Sequence, residues 1–336
     1  MSALAKTVLK DDGHLVRRVA IVGGTHGNER NGIFAARHLL KDTKRASRST
    51  FETTVDLANP AAIAVNRRYV DEDMNRCFSR EMLGRKATSR EARRAEVLDQ
   101  ALGPKANEER RMDLVIDLHN TTSDCGYALM MRRDDALSHA LCATLQKQYE
   151  DVRCCEWDDK PDHATLPSCG RSGFTLEVGP VPQGVADAVT YQKTLELIDS
   201  ILDAVEARNQ ALLSKKSSVS VEPLEVYRRV DHVDFPRDDD HVVAGLIAPE
   251  VIDFKPLEPG QPLLLGLGGE CVKTHGESDL TPFFVNEAAY YEKGIAFMIA
   301  HRAEQAVRLL PVEAVDRATA EADKGKGVKR PAEAMS

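Results

Sequence analysis

The segment Val16–Gly24 (VRRVAIVGG) ends in a continuous apolar run closed by two glycines, and Asn28–Leu40 (NERNGIFAARHLL) follows with apolar residues at helical spacing. A short apolar run bounded by a turn reads as a strand buried on both faces, and the segment after it as the helix it feeds. The pattern recurs: Phe51–Asn59 (FETTVDLAN) is a second strand candidate, and Met112–Leu118 (MDLVIDL) is a third with a fully buried look. Strands alternating with helices predict an α/β fold, a mixed and largely parallel sheet flanked by helices.

Between these strands, Arg80–Leu102 is charged, rich in helix formers and spaced as one surface helix, and Asp135–Tyr149 reads the same way. Phe174–Val178 (FTLEV) is a short strand running into Gly179 and Pro180, and Gly184–Arg208 is a further amphipathic helix. The polar stretch Ser214–Val221 (SKKSSVSV) marks a boundary. Beyond it, short apolar runs such as Leu224–Val230, His241–Ile247, Pro262–Leu265 and Phe283–Val285 alternate with Pro, Gly and Asp clusters, the texture of antiparallel β structure. We expect a catalytic domain over 1–213, a smaller β-rich domain over 222–312, and a disordered tail over 316–336. The tail carries a basic cluster at Lys324, Lys326, Lys329 and Arg330, read as a solvated end.

Lys and Arg number 45 against 53 Asp and Glu, a net charge of −8, which argues against nucleic acid or an anionic membrane as partner. No apolar run is long enough to span a bilayer, and the first residues (MSALAKTVLKDDGH) lack the apolar core of a signal peptide, so the expected location is the cytosol. Seven cysteines, scattered and odd in number, show neither a disulfide framework nor zinc-finger spacing and read as reduced thiols.

The first strand delivers Thr25-His26-Gly27-Asn28-Glu29 at its carboxyl end, where open α/β sheets bind ligands. The third delivers His119 within Asp117-Leu118-His119-Asn120. Two histidines and a carboxylate with an open fourth position form the ligand set of a hydrolytic zinc site. A histidine after a strand also serves as a satisfied polar cap, so position alone leaves both readings open. A dinucleotide fold is excluded, because Gly23-Gly24-Thr25-His26-Gly27 lacks Gly-x-Gly-x-x-Gly and Glu29 would repel a pyrophosphate at the helix start. No Gly-Lys-Ser/Thr follows, which excludes a P-loop. Glu177, inside the apolar Phe174-Thr175-Leu176-Glu177-Val178-Gly179, is a candidate general base; an inward-pairing carboxylate is the alternative. The run Asn66–Arg76 (NRRYVDEDMNR) gathers guanidinium groups suited to carboxylates or a polarised carbonyl, or to solvated surface.

At this point the motifs resemble a known family, aspartoacylase and aminoacylase III of the zinc carboxypeptidase-like superfamily. The resemblance rests on GGTHGNE (23–29), RRYVDEDMNRCF (67–78), DLHNTTS (117–123), LEVGPVPQGV (176–185), VDFPRD (233–238) and FVNEAAYYEK (284–293). It implies one zinc per chain, bound by His26, Glu29 and His119, with Glu177 as general base and Arg68 polarising the scissile carbonyl. It further implies that Asn75 and Arg76 grip the substrate α-carboxylate, that Tyr290 from the C-terminal domain lines the pocket, and that Glu287 supports the site. A homodimer is compatible with it. One departure stands out: counting back from Glu177 without gaps puts His163 and Pro167 where aspartoacylase carries a Tyr and a side-chain-binding Arg. Arg171, four residues beyond Pro167, is the expected substitute through a shifted loop. The implied reaction is hydrolysis of N-acyl-L-amino acids, with N-acetyl-L-aspartate favoured and N-acyl aromatic amino acids or mercapturates as the alternative. From other classes, a metal-free binding module on the same fold and a peptide carboxypeptidase remain.

Overall fold

The computed structural model describes residues 9–157, 162–214, 220–273 and 279–309. It begins with β1 (Leu9–Lys10), β2 (Arg18–Gly23), α1 (Arg30–Lys41), β3 (Glu52–Leu57) and α2 (Pro60–Val65). Helices α3 (Arg80–Leu83) and α4 (Arg90–Leu102) precede β4 (Leu114–Asn120), β5 (Gly126–Met131), α5 (Ala136–Gln146) and β6 (Val152–Glu156). Next come β7 (Ser172–Gly179) and the long α6 (Ala188–Leu213). The rest is β structure: β8 (Ser220–Asp234), β9 (Gly245–Ile247), β10 (Pro262–Gly266), β11 (Cys271–Lys273), β12 (Leu280–Phe283) and β13 (Ile295–Leu309).

A ten-stranded sheet runs β1-β13-β8-β6-β5-β7-β4-β2-β3, with β12 added against β13. Its heart, β3-β2-β4-β7, is parallel, while β5 reverses against β7 and then pairs parallel with β6. This is the mixed, mostly parallel sheet that the alternation of strands and helices predicts. Residue alternation explains the continuous apolar runs. Val19, Ile21, Leu114 and Ile116 pack with α1, α5 and α6, whereas Ala20, Val22 and Val115 pack with α4 on the other face. Both faces are buried, so both sets of side chains must be apolar.

Two local readings change. The helix expected over Arg80–Leu102 is two helices, because Ser79 Oγ accepts from Met82 N and Ser89 Oγ from Ala92 N, giving each its own N-cap around the Gly84 stop. Strands β5 and β6 were not anticipated; they bridge the parallel heart to the C-terminal strands. The C-terminal residues are β-rich, as expected, and are joined to the main sheet: β8 and β13, 15 residues each, pair antiparallel, and β8 lies parallel to β6 from Cys154↔Val226 to Glu156↔Arg228. Among the described residues, β9, β10 and β11 form a separate three-stranded antiparallel sheet. Cys125, Ala128, Met130 and Cys155 share a core with Tyr227, Phe283, Phe284 and Tyr290, so the two halves are packed together.

All seven cysteines are unpaired, six buried and Cys271 exposed. Among the described residues no helix is long and apolar enough to cross a membrane. The tail with Lys324, Lys326, Lys329 and Arg330, and residues 215–219 of the polar boundary, lie outside the described residues.

Helix α1 lies so close to β4 that a Cβ at Gly32 would meet Leu118 O at 2.5 Å. Gly32→Ala is expected to lower unfolding free energy by about 1–3 kcal/mol through overpacking. Urea denaturation reads this directly, and an unchanged midpoint would contradict the close approach.

Candidate metal centre and active site

β2 releases the chain at Gly23 into the turn Thr25–Glu29, and β4 carries His119 one residue from its end, so both deliver to the carboxyl edge of the parallel strands. Glu29 N–H donates to His26 O at 3.3 Å and Gly27 N–H to Arg68 O at 3.2 Å, closing the turn against the segment after α2. A Cβ on Gly27 would sit 2.1 Å from the Ala62 backbone, so the turn requires glycine there. Glu29 then occupies the N-cap position of α1.

His26, Glu29 and His119 are all buried, and one ligand atom from each lies within 4.8 Å of the others. His26 Nδ1 and His119 Nδ1 sit 2.7 Å from opposite oxygens of the Glu29 carboxylate. Their Nε2 atoms face two further carboxylates, His26 at 3.0 Å from Asp73 Oδ1 and His119 at 2.7 Å from Asp117 Oδ2. A carboxylate on one ring nitrogen fixes the tautomer and leaves the other nitrogen's lone pair for a metal. His119 Nδ1 has no hydrogen-bond partner despite its burial: the Glu29 oxygen is near it but off the bonding direction. Two imidazole nitrogens and a carboxylate converging around an orphaned nitrogen fit a metal ion.

The two outer carboxylates are themselves braced. Thr25 Oγ1 donates to Asp117 at 2.7 Å and Asn75 Nδ2 at 3.2 Å, while Asn75 N–H and Arg68 Nη2 donate to Asp73 at 3.0 and 3.1 Å. The local balance is anionic. Burial alone would raise the Glu29 carboxyl, but the His26 and His119 imidazoles hold it far below the carboxylate range. Burial alone would depress the His119 imidazole, yet Asp117 and Glu29 raise it well above its ordinary value. Such a cluster attracts a cation.

Glu177 lies beside His119 in the parallel register of β4 and β7. Its carboxylate has no hydrogen-bond partner among the described residues, and burial, aided by Glu29 and Glu287, pushes its pKa up to about 8 against the pull of His119 and Arg68. Arg68 Nη1 donates to Glu29 Oε1 at 3.1 Å, and its Nε is buried without a partner. Asn75 is more committed than expected: besides Asp117, its Oδ1 accepts from Leu166 N at 2.9 Å. Arg76 stands exposed at the mouth, with one Nη1 bond to Asn75 O. Tyr290, buried, closes the cavity from the C-terminal half with Phe284 and Ala289. Glu287 holds the loop after His119, accepting from Thr121 Oγ1, from Thr122 N at 2.8 Å and from Gln183 Nε2 at 3.1 Å.

These groups line one narrow cleft that opens to solvent, with about 50 Å³ of space inside it. Arg171 is not among them, and the expected clamp is corrected. It directly precedes β7, six positions before Glu177, which on an extended strand places it about 20 Å away at the opposite edge of the sheet. There its Nη2 pairs with Asp12 at 2.5 Å. Pro167, with His163, lines a small pocket of Met130, Met131 and Ser168 that shares Trp157 and Thr165 with the main cavity. Arg132 reaches that pocket as well, its guanidinium engaged by Asp134 Oδ1 and Arg171 O.

Sequence reasoning assigned no role to Asp73, Asp117, Thr25 or Trp157. Asp117 carried a signal, because i and i+2 on a strand share a face and His119 needs an orienting carboxylate. Asp73 and Trp157 carried none, since both reach the site from irregular or terminal positions.

Residues 16–205 match the family model described as the succinylglutamate desuccinylase/aspartoacylase catalytic domain. The chain belongs to that family. Residues 222–302 match its AstE/AspA barrel-sandwich hybrid domain. The chain is 39% identical to an N-acyl-aromatic-L-amino acid amidohydrolase (carboxylate-forming) from Homo sapiens, over 88% of this chain and 94% of that protein. A probable aspartoacylase from a Nostoc strain is 38% identical, over 85% of this chain and 97% of its own. The crystal structure of murine aminoacylase 3 is similar with a TM-score of 0.82 at 37% identity, covering 89% of this chain and 99% of that one. This protein is an amidohydrolase of that family.

Asp117→Asn is expected to weaken metal binding about 10- to 100-fold by releasing the His119 ring. Chelator competition measures this, and unchanged affinity would contradict the orienting role.

Proposed function

We propose that the protein hydrolyses N-acyl-L-amino acids whose side chain is aromatic or otherwise neutral, releasing a carboxylate and the free amino acid. The observation that carries this reading is the lining of the cavity. Arg68 and Arg76 are its only guanidinium groups among the described residues, and Trp157, Phe284 and Tyr290 add aromatic faces to an otherwise mostly polar lining. With Arg171 at the far edge of the sheet and the Arg132 guanidinium of the adjoining pocket engaged by Asp134 Oδ1 and Arg171 O, an aspartate side chain would enter without a free cationic partner, and an unpaired buried carboxylate is costly. The human relative's aromatic amidohydrolase activity supports the same reading over the expected N-acetyl-L-aspartate.

His26, Glu29 and His119 would hold zinc, which when bound supplies Lewis-acid polarisation of the amide carbonyl and acidifies water. Glu177 takes the proton of the attacking water and returns it to the leaving amine; its burial beside His119 suits a group that must work in both directions. Arg68, fixed by Glu29 and Asp73, opposes the charge that builds on the carbonyl oxygen, with its Nε unspent. Arg76 at the mouth receives the α-carboxylate, with Asn75 positioning the loop beneath it. Tyr290 and Phe284 narrow the cleft and favour small substrates over polypeptides.

Comparing kcat/KM for N-acetyl-L-phenylalanine and N-acetyl-L-aspartate tests the side-chain assignment. We expect the aromatic substrate to be preferred by roughly 10- to 100-fold, and equal or reversed preference would overturn it. Glu177→Gln should lower kcat about 10²- to 10⁴-fold with zinc content unchanged. No hydrolysis by the zinc-loaded wild type would favour a binding module instead.

A further inference from the structure

Lys105 is 4% exposed, and a buried ammonium group is costly unless several oxygens satisfy it. Its Nζ donates to Phe78 O at 2.9 Å, to Ser168 Oγ at 2.9 Å and to His163 O, and pairs with Asp162 Oδ1 at 2.7 Å. These partners come from two separate segments. Phe78 closes the loop that carries Asn75 and Arg76, while residues 162–168 form the loop that walls the Trp157 end of the cavity. Three further hydrogen bonds join the same two segments: Phe78 N–H donates to Ala164 O at 3.2 Å, Leu166 N–H to Asn75 Oδ1 at 2.9 Å and Arg80 N–H to Asp162 Oδ2 at 2.7 Å. Neither segment is a long helix or a strand; Met74, Cys77 and Phe78 share a buried core with Leu166 and Cys169, and Lys105 is the charged group that ties the polar edges of the two segments together. None of the Lys105 contacts involves a metal donor or Glu177.

We propose that Lys105 is a positioning residue for substrate binding: its ammonium clamps the α-carboxylate loop to the side-chain wall and sets the distance between those two subsites. A compact ammonium suits this better than a planar guanidinium, because its three donors diverge towards oxygens on different segments. The roles of the two subsites rest on the function proposed above.

The test uses the full, zinc-loaded chain with Lys105→Met, which keeps length and removes the charge, Lys105→Arg, which keeps the charge, and Ser168→Ala, which removes one anchor. In Lys105→Met, KM for N-acetyl-L-phenylalanine should rise about 10- to 100-fold while kcat stays within about threefold. Its preference for that substrate over N-acetylglycine should shrink, zinc stoichiometry should hold, Lys105→Arg should recover part of the loss, and Ser168→Ala should shift KM the same way by less. Trp157, the single tryptophan, borders the 162–168 wall, so acrylamide quenching of its fluorescence should increase in Lys105→Met and Ser168→Ala. A fall in kcat with KM unchanged, or a loss matching the unfolded fraction, would overturn the proposal. If the wild type cleaves no N-acyl amino acid, the function reading fails, and quenching still decides the clamp: unchanged quenching in both Lys105→Met and Ser168→Ala refutes it. Should Lys105→Met fail to fold, Ser168→Ala and Lys105→Arg carry the same readouts.

Discussion

The Glu29 carboxylate is the contact on which the site and its surrounding elements converge. It meets His26 from the β2 turn, His119 from β4, Arg68 from the segment after α2, and the Asn120 backbone N–H at 3.2 Å. Burying a carboxylate costs several kcal/mol, and here the cost is offset by two imidazoles, a guanidinium, a backbone donor and the N-terminal end of α1. Each partner must arrive from a different element, so the register of β2 beside β4 and the close docking of α1 on β4 are conditions for the carboxylate to be there at all. In turn, the carboxylate and the two imidazoles define a place where a cation completes the charge balance.

Around that centre, precision comes from carboxylates that touch no reacting atom. Asp73 and Asp117 set the ring orientation of His26 and His119. Farther out, the C-terminal half fastens the loop that follows His119: Glu287 holds Thr121 and Thr122, and Asp253 accepts from Ser123 Oγ at 2.8 Å and Val285 N at 3.0 Å. Because β8 and β13 continue the main sheet through β6, this second half is joined to the strands that carry the metal-site residues and presents Phe284 and Tyr290 to the cavity. Those strands therefore serve as frame as well as cover.

The legible part of the sequence was the part governed by short-range rules. His26 and Glu29 share one tight turn, and His119 lies near the end of a buried strand that is apolar from Leu114 to Leu118 but for Asp117, so strand ends alone brought them to one edge. The parallel heart followed from apolar runs that need burial on both faces. What could not be read depended on chain geometry between elements. Ungapped counting back from Glu177 assumed a loop shape for residues 163–171, whereas the chain makes a 3-10 turn at Leu166–Cys169 and re-enters the sheet at Ser172, which strands Arg171 at the opposite edge. Strands β5 and β6 escaped because Tyr127–Met131 and Val152–Glu156 are short and their pairing is long-range. Asp73 reaches His26 across 47 residues of sequence, a contact no local pattern encodes.

Zinc-edge X-ray absorption on the purified, zinc-loaded protein tests the central claim most directly, since it reads which atoms surround the metal. The account predicts a first shell of nitrogen and oxygen alone, with imidazole scattering from two rings and distances of about 2.0–2.2 Å. Sulfur scattering at about 2.3 Å would place the metal on the buried thiols, and a spectrum lacking imidazole would remove it from His26 and His119; either result would contradict the account.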